Sequence, residues 1–353
     1  MSMDYISLKN IAKITMGQSP ESSSYNENGD GLPFYQGNAD FGELYPEERV
    51  WCNAPKKIAE PMDILISVRA PIGALNYAKD KCCIGRGLAA ITVEDEAERN
   101  YIYHLLKARN ADLNKQGTGS TFKAIGRSTL EELKVPQITQ AEKQRCMNLM
   151  DFTESVIRKR KQQLADFDQL IKARFVEMFG NKGENPKGFE VDKLGNLYKF
   201  QYGKGNNIPE DKGDYPCYGS NGQVGHHTEY NSEDAPIIGH IGAYAGIVNW
   251  GAGKHYVTYN GVICKLKTER INPVYGFYLL QQQDFNRVAT KGGGQPFVSY
   301  GDLESPVVVV PPIEVQKEYA RFAEQVDKSK VVVQKALDAS QVLFDSLMQK
   351  YFG

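Results

Sequence analysis

Apolar positions along this chain follow two regimes, and the switch between them happens twice. In the first regime, brief β-branched runs such as "DILISVR" (63–69) and "APIIGHI" (235–241) are bounded by Pro and Gly, and "NENGDG" and "GSNGQVG" supply turns. These features predict short strands. "NYIYHLLKAR" from Asn100 and "PVYGFYLLQQQ" from Pro273 carry apolar residues three and four apart and predict helices. In the second regime the period becomes seven: Met150, Ile157, Leu164, Ile171 and Met178 form one row, with Phe167 in a second seam. Later, Tyr319, Val326, Val333 and Leu347 form one row and Phe322, Ala336 and Leu343 another, while Thr153, Arg160, Arg174, Ser329 and Ser340 interrupt the seams. A stretch of about 38 residues at 1.5 Å each makes a rod near 57 Å, longer than a domain of this size is wide. Two rods packing on each other are therefore expected, rather than two helices each lying on its own domain. The fold class is α+β, with each mixed domain followed by a long helix.

The two regimes belong to an internal repeat. "LPFYQGN" (32–38) matches "YPCYGSN" (215–221), "DILISVRAPIG" matches "APIIGHIGAYAG", "RGLAAI" matches "NGVICK", "YIYHLLK" matches "YGFYLLQ", and "EMFG" (177–180) matches "KYFG" (350–353). The separation stays near 175 residues. Just before each heptad region the chain repeats a glycine-rich loop, "GTGSTFKAI" and then "GGGQPFVSY". On a Phe-to-Phe alignment, Phe122 matches Phe297, Lys123 matches Val298 and Thr121 matches Pro296, and each Phe is expected to anchor its loop to its own core. "MFGNKGENPKGFE" reads as the linker between the copies.

Composition narrows the function. The chain has 353 residues, enough for two cores, with 41% hydrophobic and 24% charged residues. A formal net charge of −1 is not that of a protein that coats nucleic acid by bulk electrostatics, so any such contact is local or shared with a basic partner. Six cysteines without C-x-x-C spacing read as reduced packing residues, and five histidines without an H-x-x-x-H pair give no metal motif. The start "MSMDYISLKN" lacks a signal peptide's apolar core, no run is long enough to span a bilayer, and a cytoplasmic location is expected. An amino-methyltransferase would carry an N/D-P-P-aromatic loop, where this chain has "NPKG" and "NPVY"; no GxxxxGK[ST] phosphate loop is present either.

A mixed domain, a heptad helix, a second such domain and a second such helix closely resemble the DNA specificity subunit of type I restriction-modification enzymes. The resemblance covers essentially the whole chain. It is carried by "SVRAPIG" with "IGRGLAAI", "GSTFKAI" leading to "LKVP", and "VVVVPPIEVQKEY", similar to the family's P-P-x-x-x-Q signature. The first copy departs there, with Gln137 for the second proline and Ala141 matched to Gln316. The resemblance implies target-recognition domains over 1–140 and 181–312, and spacer helices over 141–180 and 313–353 that pack as an antiparallel coiled coil with pseudo-two-fold symmetry. The implied role is a non-catalytic reader of bipartite double-stranded DNA, joined by two methyltransferase subunits and in some complexes by a motor-nuclease subunit. S-adenosylmethionine would be bound by the methyltransferase, ATP and magnesium by the nuclease partner, and no cofactor by this chain. Open alternatives are a self-contained restriction or methylation enzyme, or a duplicated coiled-coil scaffold that binds protein alone.

Sequence reading needs side chains that reach base edges, and phosphate contact needs basic or hydroxyl-bearing loops. Candidates in the first domain are Gln18, Ser19, Gln36, Asn38, Arg69, Arg86, Thr118, Ser120, Thr121 and Lys123. In the second they are Lys204, Asn206, Asn207, Ser220, Asn221, Tyr244, Lys254, Tyr259, Asn260, Lys291, Gln295 and Ser299. For each, the competing explanation is a capping or solvated turn residue, and for Arg86 a buried carboxylate partner. The run "RKRK" (158–161) reads as a solvated face, or as a contact to DNA or a partner subunit.

Overall fold

The computed structural model of the chain describes residues 4–119, 123–205, 212–289 and 295–352. The chain divides into two compact units, one formed by 1–160 with 336–353 and the other by 161–335. Each unit holds one mixed α/β domain and a stretch of both long helices, Gln140–Phe179 and Ile313–Phe352.

In unit 1, four antiparallel strands run in the order Lys13–Met16, Leu88–Thr92, Ile64–Ser67, Leu75–Tyr77. Every residue of Ile64–Ser67 is buried, and four of the five in Leu88–Thr92 are, so both faces of these strands are covered. This explains why they read as unbroken apolar runs instead of alternating ones. A second sheet of five short strands includes the parallel pair Leu32–Tyr35 and Cys82–Ile84. The helix Glu96–Ala108 starts where the Asp95 carboxylate accepts from the Glu98 amide at 2.8 Å.

Unit 2 has a six-stranded sheet containing Tyr198–Tyr202, Gly261–Leu266, Ser232–Gly239 and Val248–Val257 as consecutive neighbours. Its helix Pro273–Gln281 is capped by Asn272 and has proline at its start, where the missing N–H has no intrahelical partner to lose. All six cysteines are buried and unpaired.

The helix ends show how each unit closes. Phe352, last residue of the second long helix, packs in unit 1 against Tyr101 at 5.0 Å. Phe179, last residue of the first, packs in unit 2 against Tyr275 at 4.9 Å. These two phenylalanines belong to the repeated "EMFG" and "KYFG", and both are fully buried. Within unit 2, Asp168 meets Lys330 and Arg174 meets Glu318, so numbers rise on one helix as they fall on the other. In unit 1, Arg160 donates to the Ala336 carbonyl and the Ser340 hydroxyl, while Cys146 lies in the field of Lys350. Each unit thus contains an antiparallel helix pair.

Met150, Ile157, Ile171 and Met178 are buried and Leu164 half-buried, and on the other helix Val326 and Leu347 are buried and Val333 half-buried. Leu343 is different: it is 51% exposed, and the second row runs through Ala323, Lys330, Leu337 and Phe344. One residue is about 100° of rotation on a helix, so the row through Phe322, Ala336 and Leu343 flanks the contact. The polar Lys330 inside the true row conceals its period. Phe322 itself is half-buried, packs against the unit 2 core and lies 5.8 Å from the Arg174 guanidinium.

The backbone also corrects the repeat at the start of the long helices. Lys143 donates to the Thr139 carbonyl as Gln316 does to the Pro312 carbonyl, so Lys143, not Ala141, is the counterpart of Gln316. Gln316 is fully buried and bonds the Asn272 amide and the carbonyls of Arg270 and Pro311. Lys143 instead pairs with Glu98 and lies over the Tyr101 ring. Different chemistry ties each long helix to the helix that precedes it in its own unit.

Candidate nucleic-acid interface

In unit 1 the candidate loops are joined edge to edge by backbone hydrogen bonds. The Gly17 amide donates to Leu88 O and that of Gln18 to Ile84 O, the Gly85 amide donates to Tyr35 O, and the Val68 amide donates to Gly87 O. The amide of Ile125 donates to Val68 O and that of Ala70 to Lys123 O, and Thr118 and Ala124 exchange both of their bonds. These bonds therefore join the segments into one continuous patch. Two glycines permit the close packing: a Cβ on Gly17 would lie 2.1 Å from Gly85 O, and one on Gly87 2.2 Å from Gln36 O.

From this surface Gln18, Gln36, Arg69, Arg86, Thr118 and Lys123 are exposed, while Ser19 and Asn38 are half-buried. Ser19 accepts from the Arg86 amide at 3.3 Å, and the Asp40 carboxylate accepts from the Gln36 amide at 2.7 Å. Among the described residues, neither Arg69, Arg86 nor Lys123 has an ion-pair partner, in contrast to Lys56 with Glu21 or Lys107 with Glu154. The buried-carboxylate alternative for Arg86 is thereby removed. Ser120 and Thr121, with Phe122, lie outside the described residues.

Unit 2 repeats six bonds of this scaffold. The Gly203 amide donates to Gly261 O, Lys204 to Val257 O, Thr258 to Tyr218 O, His240 to Asn260 O, Val298 to His240 O and Gly242 to Pro296 O. Hence Lys204 stands where unit 1 has Gln18, His240 where it has Val68, and Asn260 where it has Gly87. The isolated bridges agree, pairing Arg69 with Ala124 in unit 1 and Ile241 with Phe297 in unit 2. Ile241 is thus the counterpart of Arg69, and Tyr259 that of Arg86.

The same bonds overturn the Phe-to-Phe alignment of the glycine-rich loops. Lys123 corresponds to Pro296, Ala124 to Phe297 and Ile125 to Val298, two residues away from the sequence match. Phe297 is not the anchor of its loop either: it is 38% exposed, whereas Val298 is fully buried, as is its counterpart Ile125. The strand-like bridge alternates sides, so only one of two neighbouring side chains points inward.

Around His240 the second domain builds a cluster that sequence reasoning missed. His240 is 5% exposed, its ring bonds Tyr259 O through Nδ1 at 3.1 Å and lies 4.3 Å from the Tyr202 ring, and Tyr202 lies 4.3 Å from Tyr300. Burial holds the imidazole below its ordinary pKa, favouring the neutral ring. The signal available was a histidine between glycines in "IIGHIG". Tyr244, Tyr259, Asn221 and Lys204 are exposed, Ser220 and Asn260 half-buried, and a Cβ on Gly239 would meet both Tyr244 O and Ser220 O, which places those residues together. Gln295 is exposed beside Pro296.

Two candidates have other occupations. Ser299 caps the helix Tyr300–Glu304, accepting from the Asp302 amide and donating to its carboxylate. Lys254 lies on the strand Val248–Val257 with its ammonium 4.6 Å from the Tyr230 ring, and no backbone bond ties it to the cluster. Asn206, Asn207 and Lys291 fall outside the described residues.

Among the described residues no three His, Cys, Asp or Glu side chains gather to hold a metal. Burial pushes the Cys82 and Cys146 thiols up to about 12 and that of Cys83 to about 11, so these three stay protonated at neutral pH. No helix among the described residues is long and apolar enough to cross a membrane.

The chain matches the family described as the type I restriction modification DNA specificity domain over residues 2–165 and again over 186–339. It is 43% identical over 157 residues to the putative type I restriction enzyme MjaX specificity subunit of Methanocaldococcus jannaschii, covering 43% of this chain and 37% of that one. It is 25% identical over 233 residues to the MjaIX specificity subunit of the same organism, covering 59% and 54%. The matched stretches thus span only 37% and 54% of these relatives' length. The crystal structure of a type I restriction-modification S subunit from M. genitalium shares the fold over 100% of this chain and 96% of that one, with a TM-score of 0.66 at 17% identity. Carrying the matching domain twice, the chain belongs to the type I restriction-modification DNA specificity family.

Proposed function

We propose that this chain is the non-catalytic DNA-reading component of a type I restriction-modification complex, each recognition domain reading one half of a bipartite double-stranded site. The observation that carries this is the scaffold built twice from the same backbone bonds with different side chains at its exposed tips. Two readers of one architecture and unequal contacts suit two half-sites of unequal sequence. The cations of unit 1 that have no ion-pair partner among the described residues favour this over a scaffold that binds protein alone, and the missing methyltransferase and phosphate-loop motifs disfavour a self-contained enzyme.

In this reading the long helices join the two readers and set the gap between half-sites. Two methyltransferase subunits, which bind S-adenosylmethionine, dock on the chain. A motor-nuclease subunit that uses ATP and magnesium joins them in the restriction form. The complex works in the cytoplasm, where the DNA is. The test is the genome-wide methylation pattern of a strain carrying the chain with its methyltransferase: a split motif is expected, and methylation by the chain alone, or no sequence-dependent methylation, contradicts the proposal.

A further inference from the structure

The two scaffolds coincide at Arg86 and Tyr259, and the chemistry at that shared position differs. Gly85 and Gly87 flank Arg86, and both are buried. A Cβ on Gly87 would lie 2.2 Å from Gln36 O, and one on Gly85 would lie 3.2 Å from the Gln36 Cα. The peptides around Arg86 are also tied: the Gly85 amide to Tyr35 O, the Arg86 amide to Ser19 Oγ and Gly87 O to the Val68 amide. The guanidinium thus leaves a fixed backbone, between two residues without side chains, and meets no carboxylate among the described residues. A planar fork leaving a fixed backbone, with no carboxylate to occupy it, suits bidentate recognition of guanine O6 and N7 in the major groove.

The other two cations of this surface are placed differently. Arg69 lies opposite Ala124, and Lys123 is the next residue of that segment, so two exposed cations without an ion-pair partner among the described residues stand on one two-stranded bridge. A lysine is a point charge without a fork, and exposed cations on a loop-to-loop bridge suit the phosphate backbone. At the position of Arg86, unit 2 instead presents Tyr259, 40% exposed and packed on the His240 ring at 5.1 Å. A phenol held by its ring has no fork to offer a guanine.

We propose that Arg86 reads a guanine in the half-site of the first recognition domain, while Arg69 and Lys123 hold the adjoining phosphates. The assignment rests on the DNA-reading role proposed above. The experiment is methylome mapping in strains carrying the full chain with its methyltransferase, as wild type, Arg86→Gln, Arg86→Lys and Arg69→Gln. Arg86→Gln is expected to relax one G·C position in one half-site, with discrimination falling about 10- to 100-fold, and to leave the other half-site and the gap unchanged. Arg86→Lys, which keeps the charge, is expected to relax the same position, and Arg69→Gln to lower methylation of every site without changing the motif. A split wild-type motif that survives Arg86→Gln intact overturns the guanine assignment alone. A wild-type chain that directs no split methylation overturns the reading role and the assignment together. Because the Arg86 side chain is exposed and has no ion-pair partner among the described residues, the thermal unfolding of Arg86→Gln should match that of wild type, which separates lost reading from lost folding.

Discussion

Salt dependence offers a quantitative probe of the first recognition surface. Arg69 and Lys123 are exposed and unpaired, so on the assignment above each neutralises a phosphate and releases its counterion on binding. Each such contact contributes roughly −0.9 to the slope of log K against log salt. The double variant Arg69→Gln, Lys123→Gln should therefore bind with a slope shallower by about 1.8. Between 50 and 200 mM salt, a fourfold change, this amounts to about a 12-fold difference in how steeply the two affinities fall. Lys56 is the control: it pairs with Glu21 at 2.9 Å, so Lys56→Gln removes a charge that is already balanced and should leave the slope where it was. The assay is fluorescence anisotropy of a labelled duplex containing the split site, titrated with the chain and its methyltransferase at a series of salt concentrations. If the double variant keeps the wild-type slope, or if Lys56→Gln alters it as much, these cations do not face phosphate.

Three further outcomes follow from particular contacts. Gln316→Ala strands the Asn272 amide and the Arg270 and Pro311 carbonyls, bonded at 2.8, 2.8 and 2.7 Å, and should lower the stability of unit 2 by about 3 kcal/mol in urea unfolding; a loss below about 1 kcal/mol would show the site rehydrates. Burial holds the pKa of both His240 and His255 below the ordinary 6.5, so the unfolded chain takes up protons first as pH falls. The stability of unit 2 should be fully present above about pH 6.5 and decline below it, whereas Asp63 in unit 1, raised by desolvation, acts in the opposite sense; an acid-insensitive unit 2 transition would contradict this. Inserting seven residues in register into each long helix adds about 10.5 Å, and should lengthen the gap in the methylated motif by at most about three base pairs with both half-sites intact. Altered half-site bases with an unchanged gap would refute the helices' role as a ruler.

How much of this was legible in the sequence depended on which atoms carry the information. The long helices were legible because Met150, Ile157, Ile171 and Met178, or Tyr319, Val326 and Leu347, hold their period through side-chain burial. The row beside Leu343 was misplaced by one residue because half-buried Lys330 fills a contact position where an apolar residue was expected. The loops failed differently. Their equivalence resides in main-chain donors and acceptors, such as Val68 to Gly87 and His240 to Asn260, which any residue supplies. Matching Phe122 to Phe297 followed the most conspicuous side chain, yet Phe297 is on the exposed side of its bridge and Val298 is the buried partner of the scaffold. His240 stayed hidden because its counterpart is Val68: the position is fixed by the backbone, and the side chain there is free to be aliphatic in one copy and aromatic in the other.

That freedom is what a two-part reader needs. A recognition surface held by side-chain contacts would have to be rebuilt whenever its specificity changed, since each new tip would alter the packing beneath it. Here the tips Arg69, Arg86 and Lys123 in one unit, and Ile241, Tyr259 and Pro296 in the other, extend from a scaffold in which six main-chain hydrogen bonds correspond between the units. Glycines do the remaining work where two backbones approach too closely for a Cβ, at Gly17 against Gly85 and at Gly203 against Thr258. Replacing a tip then costs little stability, because no buried group loses a partner. Replacing Gly17 or Gly203 with alanine should instead displace the loop and blur every contact of its own half-site at once. On the proposed reading role, a substitution at a tip and one at a scaffold glycine should therefore differ in kind: the first is expected to alter one base position, and the second to degrade a whole half-site while leaving the other untouched.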